Sequence, residues 1–211
     1  MSKTDYEPTQ EHFDKDVAEW TMETLRDDGL YRHLRFRMAS GGFRWFDIVT
    51  WPHRLVITGD CETFTFTRLE DMFEFFRSGG SRINPSYWQE KIIDARDRAR
   101  SFDWDRFRSE ALAEFDRAKK ECEYTEIRAA ARQDLEDSLD ETEPDEWGAV
   151  QLLREYSYRH DGGRPYFYFD LSDGAPDGKG WNYHYIWCCR AIVWAIAQYD
   201  TAKATTAEAS A

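Results

Sequence analysis

The chain has 211 residues, 41% apolar and 16% aromatic, which is enough for a packed core and too apolar for a disordered chain. Its 28 basic and 41 acidic residues leave a net charge of −13. That balance repels nucleic-acid phosphates and anionic membranes, and argues against direct binding to either. The opening residues Met1-Ser2-Lys3-Thr4-Asp5 lack the apolar run of a signal peptide. The expectation is a cytoplasmic protein whose cysteines (Cys61, Cys122, Cys188 and Cys189) are reduced.

From Thr9, the residues Phe13, Val17, Trp20 and Leu25 recur at helical spacing, predicting a first helix that ends near Asp28-Gly29. The period then drops to two. Leu34, Phe36 and Met38 alternate with His33, Arg35 and Arg37, as on a strand with one face buried. Further strands are predicted over Phe43–Trp51, Arg54–Thr58 and Glu62–Thr67, joined by short turns at Ser40-Gly41-Gly42, Pro52-His53 and Gly59-Asp60. Such short links require antiparallel neighbours, because parallel strands need long crossovers.

Thr67-Arg68-Leu69-Glu70 has the spacing of a capping box ahead of Met72, Phe73 and Phe76, and Asn84-Pro85 marks another helix start. Apolar stripes then predict three helices, through Trp104–Ala118, through Ile127–Leu139, and from a cap at Thr142 that buries Trp147, Val150 and Leu153. Asp161-Gly162-Gly163 is a break. Pro165–Leu171 reads as one more strand added to the sheet, and Tyr183–Tyr199 as a helix apolar on nearly all sides. Arg190 and Gln198 make that last segment a buried helix rather than a membrane span.

The fold expected is α+β: an antiparallel meander of four to five strands packed against helices, with a helical middle region and a buried C-terminal helix. A single domain, 1–211, is read as a helix, meander and short helix over 9–84, a helical subregion over 85–160, a final strand and central helix over 165–200, and a flexible tail over 201–211.

Chemistry-bearing patterns are sparse. The loop from Asp170 to Gly180 has neither the glycine spacing of a phosphate loop nor the alternating oxygen ligands of a calcium loop, and reads as a connection rich in turn formers. His184 and Cys188, four apart, have no second ligand pair, so they read as a core histidine beside a buried cysteine. No metal, cofactor or catalytic residue is assigned.

Two patterns stand out. Eight of the thirteen residues 134–146 are acidic, and Asp134, Glu136, Asp137, Asp140, Glu141 and Glu143 form the candidate surface for a basic partner. His33, Arg35 and Arg37 share one strand face, and Arg44 follows on the next strand; together they form a candidate anion-binding row. The alternative for both is plain solvation, or internal neutralisation of the row by acids of the same chain.

The stretches Phe46–Pro52, Leu55–Asp60 and Asp71–Arg77, with Trp181–Cys189 and Gln198–Asp200, resemble proteins of unknown activity encoded in bacteriophages and prophages. The resemblance implies an accessory protein acting in the cytoplasm of a bacterial host, and carries no site residues. The function expected is therefore a non-enzymatic inhibitor that binds a host protein, one of defence or of nucleic-acid handling, through an acidic surface in the manner of a DNA mimic. The alternatives are an enzyme acting on a nucleotide or nucleic acid through the Arg row, and a virion or assembly protein.

Overall fold

Two separate hydrophobic cores organise the chain in this computed structural model, which describes residues 8–41, 43–80, 82–119, 125–160, 163, 165–171 and 175–209. The first core lies in a unit formed by Tyr6–Arg100 and Trp181–Ala211; the second lies within Ser101–Gly180. The divisions fall at 100/101 and 180/181.

In the first unit, helix α1 (Gln10–Val17) is followed by a five-stranded antiparallel meander: β1 (Trp20–Asp28), β2 (Tyr31–Met38), β3 (Trp45–Trp51), β4 (Arg54–Gly59) and β5 (Phe64–Phe66). The period-two alternation fixes its register. Phe36 pairs with Phe46, Leu34 with Ile48, Ile48 with Ile57, and Ile57 with Phe64. All these side chains are fully buried on one face. Each fully buried apolar side chain contributes roughly 1.5–3 kcal/mol.

The final helix, α7 (Tyr183–Ala209), covers that face. Trp194 meets Phe36 at 5.2 Å between ring centroids, Trp187 meets Phe46 at 5.5 Å, and Tyr185 meets Phe64 at 5.3 Å. Helices α2 (Met72–Arg77) and α3 (Pro85–Gln89) complete the unit. Asn84 caps α3 as its sequence predicts, accepting from the Tyr87 amide at 3.2 Å.

An ion pair ties β2 to the start of α2. Arg32 donates from both Nη atoms to Asp71 at 2.9 Å, and its guanidinium lies 4.5 Å over the Phe73 ring. Asp71 also accepts from the Phe73 amide at 2.9 Å and so caps α2. The capping box at Thr67 is not used. The Thr67 hydroxyl instead accepts from Arg54, and the Thr67 amide donates to the Lys91 carbonyl.

The second unit packs α4 (Trp104–Ala118), α5 (Thr125–Glu141) and α6 (Glu146–Glu155) around Phe107, Phe115, Leu135 and Leu139. A hairpin of β7 (Ser157–Arg159) and β8 (Pro165–Tyr168) adds Phe167 to this core. The ladder of β6 (Arg100–Phe102) and β9 (Lys179–Trp181) marks where the chain passes from one unit to the other and back.

Several expectations are corrected. Residues 20–28 form a strand, not the end of the first helix: the turn at Gly29, with φ +59°, folds them back onto β2. The Pro165 strand joins β7 rather than the large sheet, because the hairpin partner lies just upstream in the same unit. The cap of α6 is Asp145, which accepts from the Gly148 amide at 2.7 Å; the Thr142 hydroxyl instead donates to the Ser138 carbonyl. The helix therefore buries Gly148, Ala149, Leu152 and Leu153, and leaves Trp147 69% exposed. Residues 201–209, expected as a tail, continue α7 with exposed side chains. Residues 1–7, Gly42, Cys122, Asp161, Gly162 and residues 172–174 lie outside the described residues.

Candidate functional site

The anion-binding row is neutralised from within. Alternation puts His33, Arg35 and Arg37 on the outer sheet face, and the register places Asp47 of β3 opposite Arg35. Arg35 donates to Asp47 through Nε at 2.9 Å and Nη2 at 2.8 Å, and His33 Nε2 donates to the same carboxylate at 2.7 Å. Burial alone would raise the Asp47 carboxyl; the Arg35 and His33 bonds outweigh it and hold the group below its ordinary value. Arg37 pairs with Glu23 of β1 at 3.0 Å. Arg44 stands apart from the row and makes no ion pair among the described residues.

The acidic run is also largely engaged, but unevenly. Asp134 accepts from the Tyr156 hydroxyl at 3.0 Å, Glu136 pairs with Arg132, Asp137 accepts from Gln133, and Asp140 pairs with Arg108. Burial and Asp134 together push the Tyr156 phenol far up. Glu146 pairs with Lys179 at 2.7 Å. Among the described residues, the side chains of Glu141 and Glu143 have no such partner, and both are exposed. They lie in the stretch that leads from the end of α5 into α6, whose first turn carries exposed Trp147. The whole segment 101–180 carries 21 acidic and 11 basic residues, a net of −10 out of the chain's −13.

A third feature was not legible in the sequence. At one end of the large sheet, a cavity of about 90 Å³ is lined by Trp20, Arg44, Trp45, Asp60, Cys61, Tyr183, His184 and Trp187, all of the first unit. Four separate stretches of chain supply it, which is why no local motif announces it. Its walls are fixed from behind. Trp20 and Trp187 both pack on Phe46, at 5.6 and 5.5 Å, and Trp187 Nε1 donates to Asp16 at 3.2 Å. The end of β4 is clamped onto the start of β3, with the Asp60 amide donating to the Trp45 carbonyl at 3.0 Å and the Trp45 amide to Asp60 Oδ2 at 2.8 Å. Only glycine fits at position 59: its φ is +138°, and a Cβ there would lie 2.5 Å from the Trp45 carbonyl oxygen. Asn182 Oδ1 accepts from the His184 and Tyr185 amides and so sets the first turn of α7.

Cys61, His184 and Asp60 share this cavity, yet no hydrogen bond joins the thiol to the imidazole, and Asp60 is turned to the backbone. The contact that activates a nucleophilic thiol is thus not made. His184 is exposed, not a core histidine, whereas Cys188 is buried; among the described residues no three His, Cys, Asp or Glu groups gather as a metal site. No described helix is long and apolar enough to cross a membrane.

No protein-family model, curated protein or solved structure matches the chain.

Proposed function

We propose that this protein is a non-catalytic binder that docks on a basic protein through its acidic helical unit, with Trp147 as the anchor. The observation that carries the reading is the exposure of Trp147 beside Glu141 and Glu143, acids that no cation of the chain neutralises among the described residues. A large aromatic left in water on a charged surface is the composition of an interface hot spot, and the unpaired acids supply steering and register. The net charge of −10 over residues 101–180 strengthens the field that draws a basic partner. In the context implied by the resemblance to phage-encoded proteins, the partner is a host protein and binding inhibits it. An enzyme using the Arg row as its anion site is less well supported, because Asp47 and Glu23 already occupy those cations.

The test is capture of host proteins on the immobilised chain at low and high salt, beside Trp147→Ala and a Glu141→Lys/Glu143→Lys pair. A partner specific to the wild type should weaken at least about tenfold with Trp147→Ala. It should also be lost with salt and with charge reversal. Identical recoveries from all three proteins would overturn the reading.

A further inference from the structure

We propose that the cavity at the end of the large sheet is a binding site for a small methylated ammonium ion. It lies in a different unit from the acidic surface and is independent of that reading.

The shape argues first. A cavity of about 90 Å³ admits one compact group and not a fused ring system. Three indoles and one phenol contribute to its lining. Aromatic faces carry negative quadrupole potential and attract a cation, most strongly when the ion sheds little water on entry, as a methylated ammonium does. Trp20 and Trp187 are 92–94% buried and locked by Phe46 and Asp16, so these walls need no reorganisation to receive a guest.

Charge argues second. Asp60 lines the cavity and keeps one carboxylate oxygen without a hydrogen bond among the described residues. Asp16 stands behind the wall on Trp187. Of the two cations on its aromatic walls, Arg35 lies 4.8 Å over the Trp45 ring and is neutralised by Asp47, which leaves Arg44, exposed on a long stem that can carry its head into water. These groups sum to −1, the wrong sign for an anion site and the right one for a cation. Arg44 itself illustrates the attraction: its guanidinium rests 6.0 Å over the Trp20 ring. It therefore acts as an internal competitor for the aromatic surface.

The source of the headgroup is either a free quaternary amine or a methylated lysine side chain, and the chemistry recognised is the same. Choline is compared with 3,3-dimethyl-1-butanol, which has the same shape and no charge, by tryptophan fluorescence on the full chain. The site is located by protection of Cys61, which lines the cavity, from iodoacetamide in a peptide-resolved mass measurement. Choline should bind at least about threefold better than the neutral isostere and slow Cys61 alkylation. Arg44→Ala should tighten choline binding, and Trp45→Leu should weaken it by about tenfold without loss of fold, since Trp45 is only half-buried. A peptide carrying trimethyl-lysine that outcompetes choline would assign the source to a protein; the reverse order would assign it to a free amine. Equal binding of choline and its isostere, no protection of Cys61, or weaker choline binding by Arg44→Ala would each overturn the proposal.

Discussion

Replacing Asp71 tests how the first unit is held together. Its carboxylate does two things: it receives both Nη atoms of Arg32, which is only 8% exposed, and it caps α2 through the Phe73 amide. Asp71→Ala removes both and leaves a guanidinium buried over Phe73 with only Asp27, opposite on β1 and not bonded to it, as counter-charge. Breaking a buried pair from one side costs about 3–5 kcal/mol, and loss of a cap adds about 1 kcal/mol. Asp71→Asn keeps a capping oxygen and should be milder than the alanine variant by about that last 1 kcal/mol.

The sharper comparison is the double variant Arg32→Met/Asp71→Asn. Met restores an apolar stem and removes the stranded charge, so the pair should be more stable than Asp71→Asn alone. Urea unfolding followed by tryptophan emission reads all three. With a slope of about 2 kcal/mol per molar, a loss of about 4 kcal/mol moves the midpoint by about 2 M. A cost below about 1 kcal/mol for Asp71→Ala would show that the pair behaves as a solvated surface bridge, and the reasoning would fail. So would a double variant less stable than Asp71→Asn.

Further outcomes follow from the same geometry. Gly59→Ala should destabilise by more than about 1–3 kcal/mol, since a Cβ would meet the Trp45 carbonyl at 2.5 Å, whereas Gly29→Ala, with φ +59° and open space around it, should cost only about 1–2 kcal/mol; thermal unfolding ranks the two. Asp27, Asp47 and Asp71 are each raised by burial and lowered more by their donors, so all three sit below their ordinary value when folded. Their contribution is therefore complete above the unfolded carboxyl value of about 3.9, and drains away as pH falls below it through the folded values, which an acid titration of urea midpoints should show. In the native protein Cys61 should alkylate well before Cys188 and Cys189: burial pushes Cys189 up to about 12 and Cys188 well up, and neither is reached by solvent. Equal labelling rates before unfolding would contradict that burial.

The parts of the fold that could be read from sequence are those where a local pattern meets one clear environment. The alternation of Leu34 and Phe36 with Arg35 and Arg37 specified β2, and the tight turns specified the meander, because one sheet face is buried and the other is not. Strand β1 escaped because it lies at the sheet edge, with all residues from Glu23 to Asp28 exposed and a bulge at Thr24/Arg26 that breaks alternation. Phe13, Val17 and Trp20 then continued a helical spacing across its start. Trp147 was misplaced for another reason. Its stripe with Val150 and Leu153 competes with Gly148, Ala149 and Leu152 one position round the helix; the close approach of Gly148 to the Glu143 carbonyl turns that side inward, so that Leu153 stays buried and Trp147 does not. The pairing of Arg35 with Asp47 needed the strand register, and the aromatic cavity needed residues 20, 44–45, 60–61 and 183–187 brought together, which spacing alone does not encode.

The discontinuity of the first unit has a consequence for how the protein is made. Its sheet is complete in the chain by Phe66, but the helix that covers Phe36, Phe46 and Phe64 begins at Tyr183, beyond the whole of Ser101–Gly180. At a synthesis rate of roughly 5–20 residues per second, those 80 residues hold the sheet's apolar face uncovered on the ribosome for several seconds. The helical segment meanwhile has its full set of core partners as soon as it emerges. The chain thus matures from the inside out: the inserted segment first, the flanking sheet last, with a transient greasy surface as the stage at which a chaperone would engage it.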